Sequence, residues 1–186
     1  MPSAFKADFA AHVLRAGGVV AYPTEAIWGL GCDPHNPLAV AKLLMLKERS
    51  VSKGLILIAA SIEQCADYLE GLSRQEYQML EASWPGHVTW LVPDNGMAPS
   101  WVRGDSDKVA IRVSAHPVVV DLCRSFGGPI VSTSANISGQ TPIENSWQFR
   151  KTFGKKLDFY LGGALGGGCK PSEIRDLETG QVIRQG

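Results

Sequence analysis

The chain has 186 residues, of which 45% are hydrophobic and 19% are charged. Eighteen Lys and Arg residues balance eighteen Asp and Glu residues, so the formal net charge is zero. These values exclude a uniformly basic protein that coats nucleic acid and an intrinsically disordered chain, and the length favours one domain over residues 1–186.

Predicted helices and strands alternate along the chain. The helices are predicted from capping residues and apolar spacing, and they begin at Ser3, Asn36, Ser61, Ser73, Pro117 and Asn145. The strands are predicted from short apolar runs, at residues 19–22, 55–59, 87–92, 109–113, 130–132, 157–161, 173–177 and 181–184. Residues 23–33 follow neither period and are predicted as a loop. The alternation indicates an α/β fold in which helices flank a mixed sheet.

Two serines stand in capping-box patterns. Ser61 is followed three residues later by Gln64, and Ser73 by Glu76. In such a box the serine and the acid or amide each bond the backbone of the other residue. Both are therefore expected to open helices.

The distribution of apolar residues and cysteines predicts a cytoplasmic protein. The first twenty residues lack the apolar run and cleavage site of a secretory signal, and the apolar stretch at residues 55–60 is too short to span a bilayer. The four cysteines, at positions 32, 65, 123 and 169, are far apart and form no Cys-x-x-Cys pair. We therefore expect reduced thiols, no membrane contact and no metal site.

A glycine-rich segment at residues 162–168 precedes Lys170 and Ser172. A phosphate-binding P-loop needs Gly-Lys-Ser/Thr in direct succession, and here Cys169 and Pro171 interrupt it. We assign no P-loop to this segment.

Two polar stretches are candidates for ligand binding. Lys47-x-Arg49 and Lys53 form a basic loop before an apolar strand, where cations could hold a polyphosphate; a solvated helix end is the alternative. Residues 132–139 place hydroxyl and amide groups just beyond a strand end, where open α/β sheets bind ligands; a turn with a helix cap is the alternative.

Two further positions are singled out. Thr24-Glu25 directly follows a strand and a proline, although simple turn chemistry would also explain it. Arg112 lies within an apolar strand, where its charge needs a carboxylate partner or an anionic ligand.

Taken in chain order, these stretches resemble motifs of the TsaC/YrdC family. Their amino-acid sequence is similar to that of its short bacterial TsaC-type branch. The resemblance rests on GVVAYPTE (18–25), GLGCD (29–33), Lys47-x-Arg49, WPGHVT (84–89), VAIR (109–112), STSANISG (132–139) and PSEIRD (171–176). It extends from about residue 18 to the last residue.

The resemblance implies a YrdC-like fold, a twisted mixed sheet with a deep basic cavity. It also implies an enzyme that condenses L-threonine, bicarbonate and ATP into threonylcarbamoyl-AMP and pyrophosphate, with Mg²⁺ accompanying the nucleotide. Partner proteins then transfer the threonylcarbamoyl group to tRNA.

The resemblance further implies roles for individual residues. The catalytic set is Lys47, Arg49, Ser134 and Asn136, and threonine is expected at Thr24 and Arg112. The ATP contacts add Lys53, Thr89, Ser132, Ser172 and Arg184 to the catalytic set.

Two other functions stay open from the sequence. The same basic surface, with the cations at 150–151 and 155–156, could contact RNA in a ribosome-maturation role. Zero net charge and the lack of an RNA-stacking motif speak against it. The other alternative is a ligand-binding protein without chemistry.

Overall fold

The computed structural model describes residues 3–141, 143, 146–168 and 170–186. Its helices are α1 (Ser3–Arg15), α2 (Pro37–Lys47), α3 (Ala66–Leu69), α4 (Arg74–Glu81), α5 (Ser100–Arg103), α6 (Pro117–Phe126) and α7 (Ser146–Thr152). Its strands are β1 (Val20–Pro23), β2 (Trp28–Gly31), β3 (Ile56–Ala59), β4 (Val88–Pro93), β5 (Lys108–Val113), β6 (Ile130–Ser134), β7 (Phe159–Tyr160), β8 (Glu173–Asp176) and β9 (Val182–Arg184).

All the described strands join one sheet, in the order β7-β1-β2-β6-β3-β5-β4-β8-β9. The pairs β1/β7, β3/β5 and β4/β8 are parallel, and the other neighbours are antiparallel. This arrangement confirms the predicted mixed sheet flanked by helices. The predicted closing hairpin is also confirmed, as the antiparallel pair β8/β9.

Both faces of the sheet are buried. On one face Val20 and Tyr22 of β1 pack in a cluster with Leu14 of α1 and Leu122 of α6. On the other face Ala21 packs in a larger cluster that includes residues of α2, α4 and α7. Successive residues of a strand point to opposite faces, so a strand covered on both sides is apolar throughout. The unalternated sequence of β1 follows from this burial.

The prediction of a loop at residues 23–33 was wrong, because β2 lies within it. A tight turn forms the β1–β2 hairpin, in which Thr24 Oγ1 donates to the carbonyl of Ile27 at 2.7 Å. Gly29 and Gly31 hide the strand period because they have no side chains. A Cβ on Gly31 would lie 2.9 Å from the ring of Tyr22, so the close packing of these strands requires glycine there.

The capping predictions had different outcomes. Asn36 accepts from the amides of Leu38 and Ala39, and Ser73 forms the reciprocal capping box with Glu76. Ser61 caps no helix, because the next element is a 3-10 turn at Glu63–Cys65, which has Ile62 at its N-cap position and no side-chain cap. Gln64 instead accepts from the amide of Ala60 and donates to the carbonyl of Cys123, which ties the end of β3 to α6. Asn145 lies outside the described residues.

Three cysteines, Cys32, Cys65 and Cys123, are buried and unbridged. Cys169 lies outside the described residues. Within the described part of the chain, no helix combines the length and apolarity needed to cross a bilayer.

Candidate active site

A cavity of about 300 Å³ opens over one face of the sheet. Its floor crosses four strands in register, because Ile56 pairs with both Ser132 and Ala110, and Ala110 pairs with Leu91. Directly paired residues project from the same face of a sheet. The short side chains of Ser132 and Ala110 leave the space that the cavity occupies.

The walls of the cavity are strongly basic. Among the described residues that line it there are six Lys or Arg side chains and no Asp or Glu side chain. They are Arg49, Lys53, Arg103, Lys108, Arg112 and Arg184. A concave site with one sign of charge and apolar walls concentrates the electrostatic field, so it attracts anions.

Three of these six cations are neutralised by ion pairs. Each of the three pairs with a carboxylate that does not itself line the cavity. The pairs are Arg103 with Asp94, Lys108 with Asp176 and Arg112 with Glu25, at N–O distances of 3.0, 2.6 and 2.9 Å. Their contribution to the net charge of the cavity is therefore small.

Arg49, Lys53 and Arg184 have no carboxylate partner among the described residues. Arg49 Nη2 donates to the carbonyl of Gly54 at 2.9 Å, and Arg184 Nη2 donates to that of Ser172 at 2.7 Å. Burial lowers the pKa of both guanidinium groups, and the charge of Arg112 lowers the pKa of Arg184 further. An anion placed between these cations would offset the energetic cost of burying their charge.

Lys47 lies beside the cavity without lining it, and it is only 2% exposed. Its Nζ donates to the carbonyls of Ser134 and Asn136, the latter at 2.8 Å. Burial, followed by the charge of Arg49, lowers the pKa of Lys47 to about 8. Ser134 Oγ in turn donates to Asn136 Oδ1 at 2.6 Å. Lys47 therefore fastens the end of α2 to the polar segment that follows β6.

Glu48 separates Lys47 from Arg49 and has a left-handed backbone with φ of 50°. It caps the C-terminus of α2, where the amide of Arg49 bonds the carbonyl of Leu44 at 3.1 Å. This reversal directs Lys47 into the protein and Arg49 into the cavity.

Arg112 contacts Glu25, which was singled out from the sequence with Thr24 without being assigned a role, and His87, which was not selected. Its Nη2 donates to Glu25 Oε2 at 2.9 Å, and its Nη1 lies 3.5 Å from His87 Nδ1. Ser114 Oγ donates to the other oxygen of Glu25 at 2.6 Å. Glu25 was selected from the sequence by its position after a strand and a proline but was not connected with Arg112; no signal selected His87 or Ser114.

The structure brings most of the expected site residues to one cavity. Those that line it are Thr24, Arg49, Lys53, Arg112, Ser132, Ser134, Ser172 and Arg184. Three do not line it, namely Lys47, Thr89 and Asn136. Thr89 is fully buried, with its Oγ1 2.9 Å from Ser172 Oγ, so its contact with the cavity passes through that serine.

The glycine-rich segment lies against the hairpin turn that carries Thr24 and Glu25. The amide of Gly166 donates to the carbonyl of Thr24 at 3.0 Å, and that of Gly168 to the carbonyl of Glu25 at 2.7 Å. A Cβ on Gly166 would lie 2.9 Å from Glu25 Cα. The glycines therefore permit a close backbone approach behind the cavity wall.

Comparisons with known proteins agree on one family. A model of the Sua5/YciO/YrdC family, described as telomere recombination, matches residues 12–186. The threonylcarbamoyl-AMP synthase of Cellvibrio japonicus is 52% identical over 179 residues, 96% of this chain and 95% of that protein. The protein of the same name from Saccharophagus degradans is 55% identical over 173 residues, 93% of this chain and 91% of that protein.

Solved structures show the same architecture. Sua5 of P. abyssi, crystallised with L-threonine, superposes with a TM-score of 0.87 at 29% identity over 96% of this chain. The match spans 53% of the Sua5 chain, so the present chain corresponds to about half of that protein. E. coli YciO has a TM-score of 0.88 at 22% identity, over 100% of this chain and 91% of that chain, and this likeness concerns the fold.

Proposed function

We propose that this chain, which belongs to the Sua5/YciO/YrdC family, is a threonylcarbamoyl-AMP synthase that condenses L-threonine, bicarbonate and ATP. The observation that carries the proposal is a basic cavity that contains two kinds of cation. Arg49, Lys53 and Arg184 have no carboxylate partner among the described residues, whereas Arg112 is paired with Glu25. One polyanion and one smaller substrate with a carboxylate match these two kinds of cation.

The reaction joins two anions, and the cavity lowers the cost of their approach. The threonine amine attacks bicarbonate and gives a carbamate, with release of water. A carbamate oxygen then attacks the α-phosphorus of ATP, and the bond to the β-phosphate oxygen breaks to release pyrophosphate. Charge develops on the leaving pyrophosphate, so fixed cations near it stabilise the transition state. The nucleophile comes from the substrate, and no side chain has to supply one.

The residue roles follow the two kinds of cation. Arg49, Lys53 and Arg184 bind the triphosphate, Ser132 and Ser172 donate to phosphate or ribose oxygens, and Ser134, whose hydroxyl proton bonds Asn136, accepts from a ribose hydroxyl. Arg112 binds the threonine carboxylate through the parallel N–H groups of its guanidinium, and Thr24 lies beside it. Lys47 and Asn136 act by fixing the segment that carries Ser134, and Thr89 supports Ser172.

The cavity suits Mg²⁺ that arrives with the nucleotide. Its described lining carries cations and hydroxyl groups and no carboxylate, which is a poor donor set for a hard divalent ion. No group of three or more His, Cys, Asp or Glu in the described residues is arranged to hold a metal. Phosphate and water oxygens would therefore be its ligands, and the ion would neutralise phosphate charge.

The product is a mixed anhydride, which suits transfer of the threonylcarbamoyl group to tRNA by partner proteins in the cytoplasm. We treat residues 1–186 as one YrdC-like domain for this activity. The RNA-binding alternative has less support, because Arg49 faces the cavity and Lys47 is buried, which leaves fewer cations for a phosphate backbone.

The proposal is tested by pyrophosphate release from the purified protein with ATP, Mg²⁺, L-threonine and bicarbonate. We expect release that stops when either threonine or bicarbonate is omitted, and a product with the mass of threonylcarbamoyl-AMP. Release that continues without either of them would reject the synthase.

A further inference from the structure

We propose that Glu25 is the positioning residue of the amino-acid subsite, because it holds the Arg112 guanidinium in the orientation that receives the substrate carboxylate. The inference rests on the proposed function and adds to it a residue whose own carboxylate does not line the cavity.

The Arg112 guanidinium needs neighbouring groups to fix its orientation. Its side chain is buried in a strand, and a long flexible side chain binds a planar carboxylate well only when its guanidinium plane is fixed beforehand. Glu25 Oε2 takes one edge of the guanidinium at 2.9 Å, and His87 Nδ1 lies 3.5 Å from Nη1. Arg112 lines the cavity, so its remaining N–H groups are available to a ligand there.

Glu25 is itself fixed at both ends. Ser114 Oγ donates to its Oε1 at 2.6 Å, and the amide of Gly168 donates to its backbone carbonyl at 2.7 Å. Burial alone would raise the pKa of Glu25, but Arg112 and Ser114 hold that pKa below its ordinary value. Glu25 is therefore a carboxylate throughout the neutral range and can act as a permanent partner of Arg112.

The ion pair between Arg112 and Glu25 also determines which kind of anion Arg112 prefers. Glu25 compensates the charge of Arg112, whereas Arg49, Lys53 and Arg184 have no such carboxylate among the described residues. A triphosphate gains the most electrostatic binding energy beside the cations that have no carboxylate partner. Arg112 therefore favours a small ligand whose carboxylate matches the guanidinium geometry.

The test compares Glu25→Gln with Asp94→Asn. Glu25→Gln keeps the size and one oxygen but removes the charge that orients Arg112. Asp94→Asn makes the same change beside Arg103, a different cation of the same cavity, at 3.0 Å. Steady-state pyrophosphate release gives KM for threonine and for ATP separately, and L-threoninamide, which lacks the carboxylate charge, is tested as a competitive inhibitor.

We expect Glu25→Gln to raise the threonine KM at least about tenfold, as for a loss of 1.4 kcal/mol in binding, while the ATP KM stays within about twofold. Preference for threonine over threoninamide should shrink by a similar factor. Asp94→Asn should leave the threonine KM within about twofold, because it leaves the pair of Glu25 and Arg112 intact, and it should not raise the ATP KM, because it frees the Arg103 cation. Equal rises in both KM values for Glu25→Gln would indicate a general structural role and overturn the inference.

Ser114→Ala provides an independent variant if Glu25→Gln does not fold. It removes the hydroxyl that holds Oε1 and leaves the ion pair, so we expect a threonine KM raised about threefold with the ATP KM unchanged. An unchanged threonine KM in the folded variants overturns the inference. Threonine-dependent and bicarbonate-dependent release by the parent protein is measured first, so failure of the synthase activity is distinguished from failure of Glu25 as a positioning residue.

Discussion

Replacing Lys47 with methionine tests the energetic cost of the buried ammonium beside the cavity. Lys47 has a pKa lowered from 10.5 to about 8, by burial first and by Arg49 second. Between these two pKa values the unfolded chain binds a proton that the folded chain does not. Stability contributed at this position therefore rises with pH across that window and falls as the pH drops through it.

The size of the effect follows from the two pKa values. From pH 7 to pH 9.5 the native lysine should gain about 2 kcal/mol of unfolding free energy relative to methionine, with most of the gain above pH 8. Buried Cys32, Cys65, Cys123 and Tyr22 have raised pKa values and act in the opposite direction. They are present in both proteins, so their contribution cancels in the difference.

Urea unfolding of the native protein and of Lys47→Met at several pH values gives this difference directly. Lys6→Met is the matched control, because Lys6 is exposed on α1, and its difference from the native protein should stay flat. A difference for Lys47→Met that varies by less than about 0.5 kcal/mol over this range would refute the reasoning.

Two further predictions concern the cavity and the fold separately. Arg49→Ala should lower turnover by about a hundredfold or more, because it removes a cation that has no carboxylate partner among the described residues. Arg103→Ala should lower turnover less than about tenfold, because Arg103 is already paired with Asp94. Steady-state kinetics of both variants decides this, and equal losses would contradict the division of the cavity. Ser73→Ala should cost about 1 kcal/mol in urea unfolding through loss of the capping box, with kcat unchanged; an unchanged midpoint would contradict the cap.

The fold was predictable where short-range chemistry determines it. Asn36 and Ser73 were found because a cap is formed by residues two or three positions apart. β2 was missed because Gly29 and Gly31 leave no alternation of side chains to detect. Gln64 was misjudged because its hydrogen bonds join β3 to α6, and such a distant contact leaves no pattern in the local sequence.

The candidate site was predictable as a set of residues but not as an arrangement. Lys47 and Arg49 were selected together as phosphate-binding cations, yet the structure buries the first against backbone carbonyls and directs the second into the cavity. The partner of Arg112 was required by its burial, but Glu25 lies eighty-seven positions away in the sequence. His87 was not selected because a single histidine has no spacing from which a role could be inferred.

The left-handed residue at the end of α2 restricts how the Lys-x-Arg motif can vary. Glu48 is exposed, so its side-chain chemistry is free, yet its backbone occupies a region that β-branched residues enter only at high energetic cost. Asparagine or glycine could replace it without redirecting the chain, whereas valine or isoleucine would rotate Arg49 away from its target while every charged group remained in the sequence. The residue between Lys47 and Arg49 is thus restricted by the backbone torsion angles that it must adopt. Variants at this position should therefore include inactive proteins that retain both cations.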